Sequence, residues 1–379
     1  MTISIEPPIH IGLIGTGYMS LQAYLPGFRR QGAVVSAIWG RDQARVDLLA
    51  QQHGIPRAYA DYRALVADPD VQAIVVASPN HLHHEMVLEV AKAGKPVFCE
   101  KPLGLSLAEA HEMVDAIERA GVFHGMPFTW RWPYHSREVK RLLAAGYLGR
   151  IYDLHLVFSV AAWATPTTSL GWRGVHALGG EGVLADFGGH LGDLTRWYAG
   201  ELTRVAAHGR THIPVRTPLG ANAEQVDVLD SCNLLFETTQ GTQGSFQMSY
   251  VSPARPLLIR VELHGERGAI VYELEMHGDM LLTRLGRREN QGGPLEWESQ
   301  TQPFSEIVDH LCAGFLLGVT GQPTELTTLH DGLRGQAIIE AAKQSMKTGC
   351  WTPVSAEAAQ LPTPPRPDGE PLARQRDER

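Results

Sequence analysis

A lysine directly behind a short apolar run, and a histidine one helical turn behind an aspartate, are the residues of this chain best suited to handle protons. Lys101 follows Val97-Phe98-Cys99-Glu100 and precedes Pro102, which fixes the chain direction beyond it. A lysine at a strand end is either a surface cation or a donor aimed into a crevice, with Glu100 holding the turn. The second group lies in Leu178-Gly-Gly-Glu181-Gly-Val-Leu-Ala-Asp186-Phe-Gly-Gly-His190-Leu-Gly-Asp193. On a helix running to Trp197, Asp186 and His190 share a face, with Asp193 just beyond. A histidine flanked by carboxylates takes a proton near neutral pH, and oxidation of an alcohol needs such a base for the hydroxyl proton. The same spacing also fits a capped helix carrying an ordinary surface histidine. Gly188 and Gly189 each cost a helix about 1 kcal/mol relative to alanine, so something approaches the backbone closely there.

Oxidation also needs a hydride acceptor, and the start of the chain suggests one. Residues 9–17, Ile-His-Ile-Gly-Leu-Ile-Gly-Thr-Gly, read as a strand entering a glycine turn. Gly15 and Gly17 let the backbone bend and approach a pyrophosphate over the N-terminus of a helix beginning near Tyr18, with Ser20 as the third small position. After the second strand the chain reads Trp39-Gly40-Arg41-Asp42. Gly40 removes the carboxylate that would repel a 2′-phosphate and Arg41 offers a cation for one, so NADP is favoured over NAD. The competing reading has Arg41 solvated and Asp42 capping the next helix. Ser78-Pro-Asn80-His81-Leu-His83-His84 follows the third major strand, where Ser78, Asn80 and His83 are candidates for ribose or nicotinamide contact; helix capping by Asn80 and surface histidines fit equally. No accompanying carboxylate or cysteine gives these histidines a metal-site spacing, so no metal is expected.

These groups require a frame. Residues 1–128 alternate short apolar strands (9–14, 34–39, 71–77, 97–99 and 122–126) with helical periods, the grammar of a doubly wound parallel sheet in an α/β protein. Beyond it, in 129–352, longer alternating strands at 151–160, 204–213, 226–237, 244–251, 257–264 and 269–274 predict an antiparallel or mixed sheet, with helices over 136–145, 304–319 and 329–347. Prolines and charges make 353–379 an expected disordered tail. The 379 residues carry a net charge of −8, which gives no general attraction to nucleic acid. No apolar run reaches the roughly 20 residues of a membrane helix, and residues 1–8 lack the features of a secretory signal, so the cytoplasm is the expected compartment. The four cysteines are widely spaced, without a Cys-x-x-Cys, and read as buried thiols.

Together the glycine turn, Pro79-Asn80 with His83, Gly94-Lys-Pro-Val97 leading into Glu100-Lys101-Pro102, and the glycine-rich lead to Asp186-x-x-x-His190 resemble the Gfo/Idh/MocA oxidoreductases, named for glucose-fructose oxidoreductase and inositol 2-dehydrogenase. The resemblance extends to about Val354. It implies a Rossmann domain followed by an α/β domain with an open, mixed, mainly antiparallel sheet whose exposed face commonly builds dimers or tetramers. It implies that Lys101 bonds the reacting hydroxyl, that His190 is the general base and that Asp186 binds or orients substrate. Cofactor contacts are implied for Gly15, Gly17, Ser20, Asn80, His83 and Glu100, and substrate contacts for Trp172, Arg173 and Arg131. Glu181 departs from the family pattern, standing where many relatives have the middle glycine of three. The expected activity is NAD(P)-dependent oxidation of a secondary hydroxyl, or reduction of the ketone, of a sugar, inositol or related polyol. Transient-redox glycoside cleavage, elimination or epimerisation, and a non-catalytic sugar sensor, are the alternatives.

Overall fold

The computed structural model describes residues 7–254, 256–289 and 293–355. Six strands, β1 (His10–Ile14), β2 (Val34–Trp39), β3 (Arg57–Tyr59), β4 (Ala73–Val76), β5 (Val97–Cys99) and β6 (His124–Gly125), pair in parallel in the order β3-β2-β1-β4-β5-β6. The order reverses between β1 and β4, the switch point beyond whose carboxyl ends open α/β sheets bind ligands. β3 and the helix Tyr62–Ala67 were not foreseen; both are too short to show a period. The first helix opens as a π-turn, Met19–Tyr24, and continues as Leu25–Arg30. Pro26 lacks an N–H, and Leu25 donates five residues back to the Ser20 carbonyl, which widens this turn.

The second half is built on β7 (Ile151–Val160), β8 (Leu202–Arg210), β9 (Val215–Arg216), β10 (Glu224–Gln225), β11 (Ser231–Thr238), β12 (Gln243–Ser249), β13 (Leu257–Gly265), β14 (Gly268–His277), β15 (Met280–Glu289), β16 (Glu296–Pro303) and β17 (Thr352–Pro353). Nine of these form one sheet, β16-β15-β14-β13-β7-β12-β11-β8-β17, antiparallel except for β7 with β12. β15 and β16 were not foreseen; β16 is an edge strand, exposed along nearly all its length, with no apolar alternation to betray it. The expected strands 204–213 and 226–237 are cut short. Pro214 and Pro218 cannot donate to a ladder, and the intervening chain leaves the sheet as the β9–β10 hairpin. Pro353 and Val354, assigned from sequence to a tail, instead pair with β8; residues 356–379 lie outside the described residues.

The helix Leu329–Thr348 joins the halves. Leu329, Leu333 and Ala337 pack into the core on one face of the parallel sheet, whereas Ile338, Ile339 and Ala342 belong to a larger core that runs from the sheet's other face to the second sheet. It crosses the helix Val183–Ala199, where a Cβ on Gly335 would stand 3.5 Å from the Gly189 Cα and one on Gly192 would meet Ile338 at 2.6 Å. The close approach that Gly188 and Gly189 imply is therefore made by the chain's own last helix, not by a ligand.

Candidate active site

Four loops converge on the carboxyl edge of the parallel sheet. After β1, Gly15 adopts φ +122° and a Cβ there would lie 2.3 Å from the Ala77 carbonyl oxygen, so only glycine fits the bend. Gly17 has no neighbour within 4 Å of a built Cβ, and Tyr18 beside it is 64% exposed. This open cradle at a helix start suits a pyrophosphate. Ser20 turns the other way: fully buried, its hydroxyl donates to the Ala77 carbonyl (3.4 Å), so its side chain packs under the turn. After β2, Asp42 caps the helix Gln43–His53 by accepting from the Arg45 N–H. Arg41 is exposed and makes no hydrogen bond or ion pair among the described residues. A Cβ on Gly40 would strike Thr16 at 2.7 Å, which leaves no room for a carboxylate.

The loops after β4 and β5 are braced against each other. His83, fully buried, stands between two carbonyls, with Nδ1 2.9 Å from that of Pro102 and Nε2 3.0 Å from that of Ser78. A neutral ring donates to one of these carbonyls at a time, and His83 braces the loop after β4 against the Lys101 turn. Ser78 directs its hydroxyl inward to Met86 and the Pro79 carbonyl. Asn80 donates to the Gly179 carbonyl (2.9 Å) and so holds the glycine-rich loop of the second half. The carboxylate of Glu100 is likewise spent inside, accepting from the Tyr24 hydroxyl and the Lys101 N–H (3.1 Å); burial raises its pKa despite the Lys101 charge. Tyr24, which no local pattern announced, rises too, by burial and the adjacent carboxylate, and remains a donor. The Lys101-Pro102 peptide is cis.

From the second half, Val183–Ala199 is a helix that presents Asp186 to Lys101. Gly180 and Gly182 on either side of Glu181 have positive φ while Glu181 does not, so the departure from three glycines is tolerated by the backbone. The Lys101 ammonium forms an ion pair with Asp186 Oδ1. Oδ2 accepts from the Tyr250 hydroxyl (3.0 Å) and faces Arg173 at 3.8 Å. Burial alone would push the Asp186 carboxyl up, but the Lys101 and Arg173 cations and the two hydrogen bonds outweigh it and hold it below the ordinary carboxylate range. Trp172 covers the Arg173 guanidinium at 4.3 Å. Tyr250 was not foreseen; it falls on the apolar face of an alternating strand, where nothing local distinguishes it from core.

His190 lies one turn after Asp186 and is 5% exposed, among the rings of Phe128, Trp130 and Phe158 at 5.7 to 6.2 Å. Its Nδ1 is buried without a partner. Burial, then the Lys101 charge, pull its pKa well below the ordinary histidine value against the opposing pull of Asp186. The imidazole is neutral at neutral pH, the form in which a base accepts a proton.

Asp193 and Arg131 do not join this cluster. Arg131 donates from Nε and Nη2 to Asp193 (2.7 and 2.5 Å), and the pair continues through Arg196 to Asp331 of the last helix. Arg131, expected from its sequence position on the substrate side, is committed here to internal ion pairs with Asp193 and Asp331. Burial raises Asp193, whereas Arg131 and Arg196 hold Asp331 down at about 2 against burial. Asp193→Ala leaves the Arg131 guanidinium only its longer contact to Asp331 (3.7 Å), and denaturant unfolding is expected to show a loss of about 3 kcal/mol. A variant as stable as the unaltered chain but with weakened substrate binding would return Arg131 to the substrate side.

A proton-handling cluster on the ligand edge of a dinucleotide sheet is the arrangement of an NAD(P)-linked oxidoreductase. The family models agree: "Oxidoreductase family, NAD-binding Rossmann fold" matches residues 9–127 and "GFO/IDH/MocA C-terminal domain" matches residues 136–271. The chain belongs to the Gfo/Idh/MocA oxidoreductase family. It is 27% identical over 359 residues to levoglucosan dehydrogenase of Pseudarthrobacter phenanthrenivorans, covering 89% of this chain and 91% of that protein. It is 29% identical over 350 residues to inositol 2-dehydrogenase 2 of Saccharopolyspora erythraea, covering 91% and 95%. Among solved structures, levoglucosan dehydrogenase in complex with NADH and levoglucosan superposes with TM-score 0.82 at 25% identity, covering 92% of this chain and 99% of the other.

Proposed function

We propose that this chain is an NAD(P)-dependent dehydrogenase or reductase acting between a secondary hydroxyl and the matching ketone of a sugar, inositol or related polyol. The observation that carries the reading is the meeting of Lys101, Asp186 and His190 at the carboxyl edge of the parallel sheet. The substrates in the relatives' names, an anhydrosugar and an inositol, support the class.

A bound oxidised nicotinamide would supply the hydride acceptor for the C–H bond on the carbon that bears the hydroxyl. Gly15, Gly17 and Tyr18 would hold the dinucleotide's phosphate end, and Arg41 its adenosine end. His190 takes the hydroxyl proton, which its lowered pKa allows throughout the neutral range. Lys101 donates to the same oxygen and stabilises the negative charge that develops on it. Asp186, ionised and tied to Lys101 and Tyr250, fixes the ammonium and accepts from a neighbouring hydroxyl of the substrate. Trp172 and Arg173 flank the substrate. Residues 1–128 serve the dinucleotide and 129–352 the substrate, and the last helix belongs to both.

NADP is favoured over NAD, because Gly40 excludes a repelling carboxylate and Arg41 is free for a 2′-phosphate. A scan of sugars, inositols and sugar acids with each dinucleotide, followed by cofactor absorbance, tests activity and preference together. Arg41→Ala is expected to raise KM for NADP about tenfold and leave that for NAD unchanged, the worth of one charge-assisted contact. An unaltered chain that prefers NAD and is indifferent to Arg41→Ala refutes the NADP assignment; absence of turnover across the scan refutes the dehydrogenase reading. No helix among the described residues is long and apolar enough to cross a membrane, in keeping with a cytoplasmic protein. The outer face of the nine-stranded sheet, with Leu235 53% exposed, is the proposed contact of a homodimer or homotetramer, measurable by light scattering.

A further inference from the structure

The segment that leaves the second sheet between β8 and β11 braces the rim of the candidate site. Arg216 of β9 is fully buried, yet hydrogen-bonds no carboxylate among the described residues: Nη1 donates to the carbonyls of Thr165 (2.9 Å) and Thr168 (3.0 Å), and Nη2 to that of Trp163 (2.9 Å). Beside it, the Thr217 N–H donates to the Pro166 carbonyl (2.8 Å), and the Ser169 hydroxyl donates to Glu224 of β10 (2.7 Å). Farther along, Asp227 accepts from the His176 N–H (2.7 Å), and the Val183 N–H donates to the Leu229 carbonyl (2.9 Å) at the start of the helix that carries Asp186 and His190. A buried cation is costly unless its donors are met; here three carbonyls of one loop meet the two terminal nitrogens while Nε stays without a partner, so the charge fixes the path of 163–168.

The residue that this loop presents is Trp163. Its ring packs at 4.7 Å against Tyr250, whose hydroxyl bonds Asp186, and the Arg173 guanidinium lies over it at 6.0 Å. Trp163 thus touches two of the three side chains that meet the Asp186 carboxylate, and the third is Lys101. It is partly, not fully, buried. An aromatic plane with a cation and a carboxylate beside it matches a ring whose faces carry C–H groups and whose rim carries hydroxyls.

We propose that Trp163 is a substrate-stacking residue that selects ring-shaped sugars and inositols over open-chain polyols, and that Arg216 is the positioning residue that holds it. The inference rests on the dehydrogenase reading above and specifies its substrate class. An open chain presents no flat C–H face, so Trp163 contributes little to its binding, whereas ring substrates lose the stack when the indole is removed.

The test compares a pyranose and an inositol with an open-chain hexitol on the full chain, with KM and kcat read separately and ligand binding to the dinucleotide complex followed by calorimetry. Trp163→Ala is expected to raise KM and Kd for the ring substrates about tenfold, with kcat and hexitol KM little changed, and Trp163→Phe to recover most of the loss. Arg216→Lys, which keeps the charge but not the three-carbonyl fork, is expected to give the same ring-selective rise in part, and Arg216→Met in full. Equal losses for ring and open-chain substrates, or unchanged ring affinity in Trp163→Ala, would overturn the proposal while leaving the dehydrogenase reading standing. If Arg216→Met does not fold, Trp163→Ala and Arg216→Lys decide it. No turnover and no calorimetric binding of any ring substrate by the unaltered chain would overturn both.

Discussion

Lys101→Ala is expected to lower turnover about 10³-fold while the chain still binds dinucleotide with near-normal affinity. The lysine stands at the end of β5 with its ammonium on Asp186, and the phosphate cradle at Gly15 and Gly17 belongs to a different loop. Removing the ammonium takes away the donor to the developing alkoxide and also frees Asp186, which keeps only Tyr250 and the longer contact to Arg173. Lys101→Arg should not rescue, because a planar fork cannot take the place of a compact ammonium between a carboxylate and a substrate oxygen. Single-turnover cofactor absorbance beside dinucleotide titration separates the two steps. Turnover within a few-fold of normal in Lys101→Ala would remove the lysine from the chemistry.

For His190 the largest effect is a change in the shape of the pH profile as well as in its height. His190→Ala should lower kcat/KM by about 10² to 10⁴. In the unaltered chain the imidazole's pKa lies well below the ordinary 6.5, owing first to burial and then to Lys101. The basic form therefore predominates at and above neutral pH, and activity should fall only as pH drops through that lowered value, not between 6.5 and 8. Asp186 is held lower than an ordinary carboxylate and stays ionised across the same range, so it adds no limb there. His190→Ala should leave a weak, flat profile on the acid side. An acid limb that persists unchanged in His190→Ala would assign it to another group, and strong residual turnover would dismiss His190 as the base.

Much of the frame was legible because it is built from short-range rules. β-branched runs alternating with helical periods mark the parallel sheet, a glycine with φ +122° marks the cofactor turn, and the four-residue spacing places Asp186 and His190 on one helix face. Individual roles were less legible. Ser20, Ser78, His83, Glu100 and Arg131 all sit in suggestive motifs, yet each directs its polar atoms into the protein, toward Ala77, Met86, Pro102, Tyr24 and Asp193. A motif places a residue near a site, but the direction of its side chain depends on distant partners, 76 positions away for Glu100 and Tyr24 and 99 for Asn80 and Gly179. Conversely Tyr24, Tyr250 and Arg216 carry no local signature, since a buried tyrosine or arginine on a short element reads as core or surface until its acceptors are known.

By itself the sequence determined the alternation of the longer strands and helices, the glycine turn, and the reactive types at 101, 186 and 190, because backbone geometry and side-chain periodicity act over a few residues. Only the tertiary structure decided that Lys101 and Asp186 pair between the two halves, that Asp193 turns instead to Arg131, and that the glycines of Val183–Ala199 admit the last helix. Those outcomes depend on which buried charges find each other once water is excluded. An unpaired charge in the interior is expensive, and the pairing that avoids it is settled between distant segments rather than within any one of them.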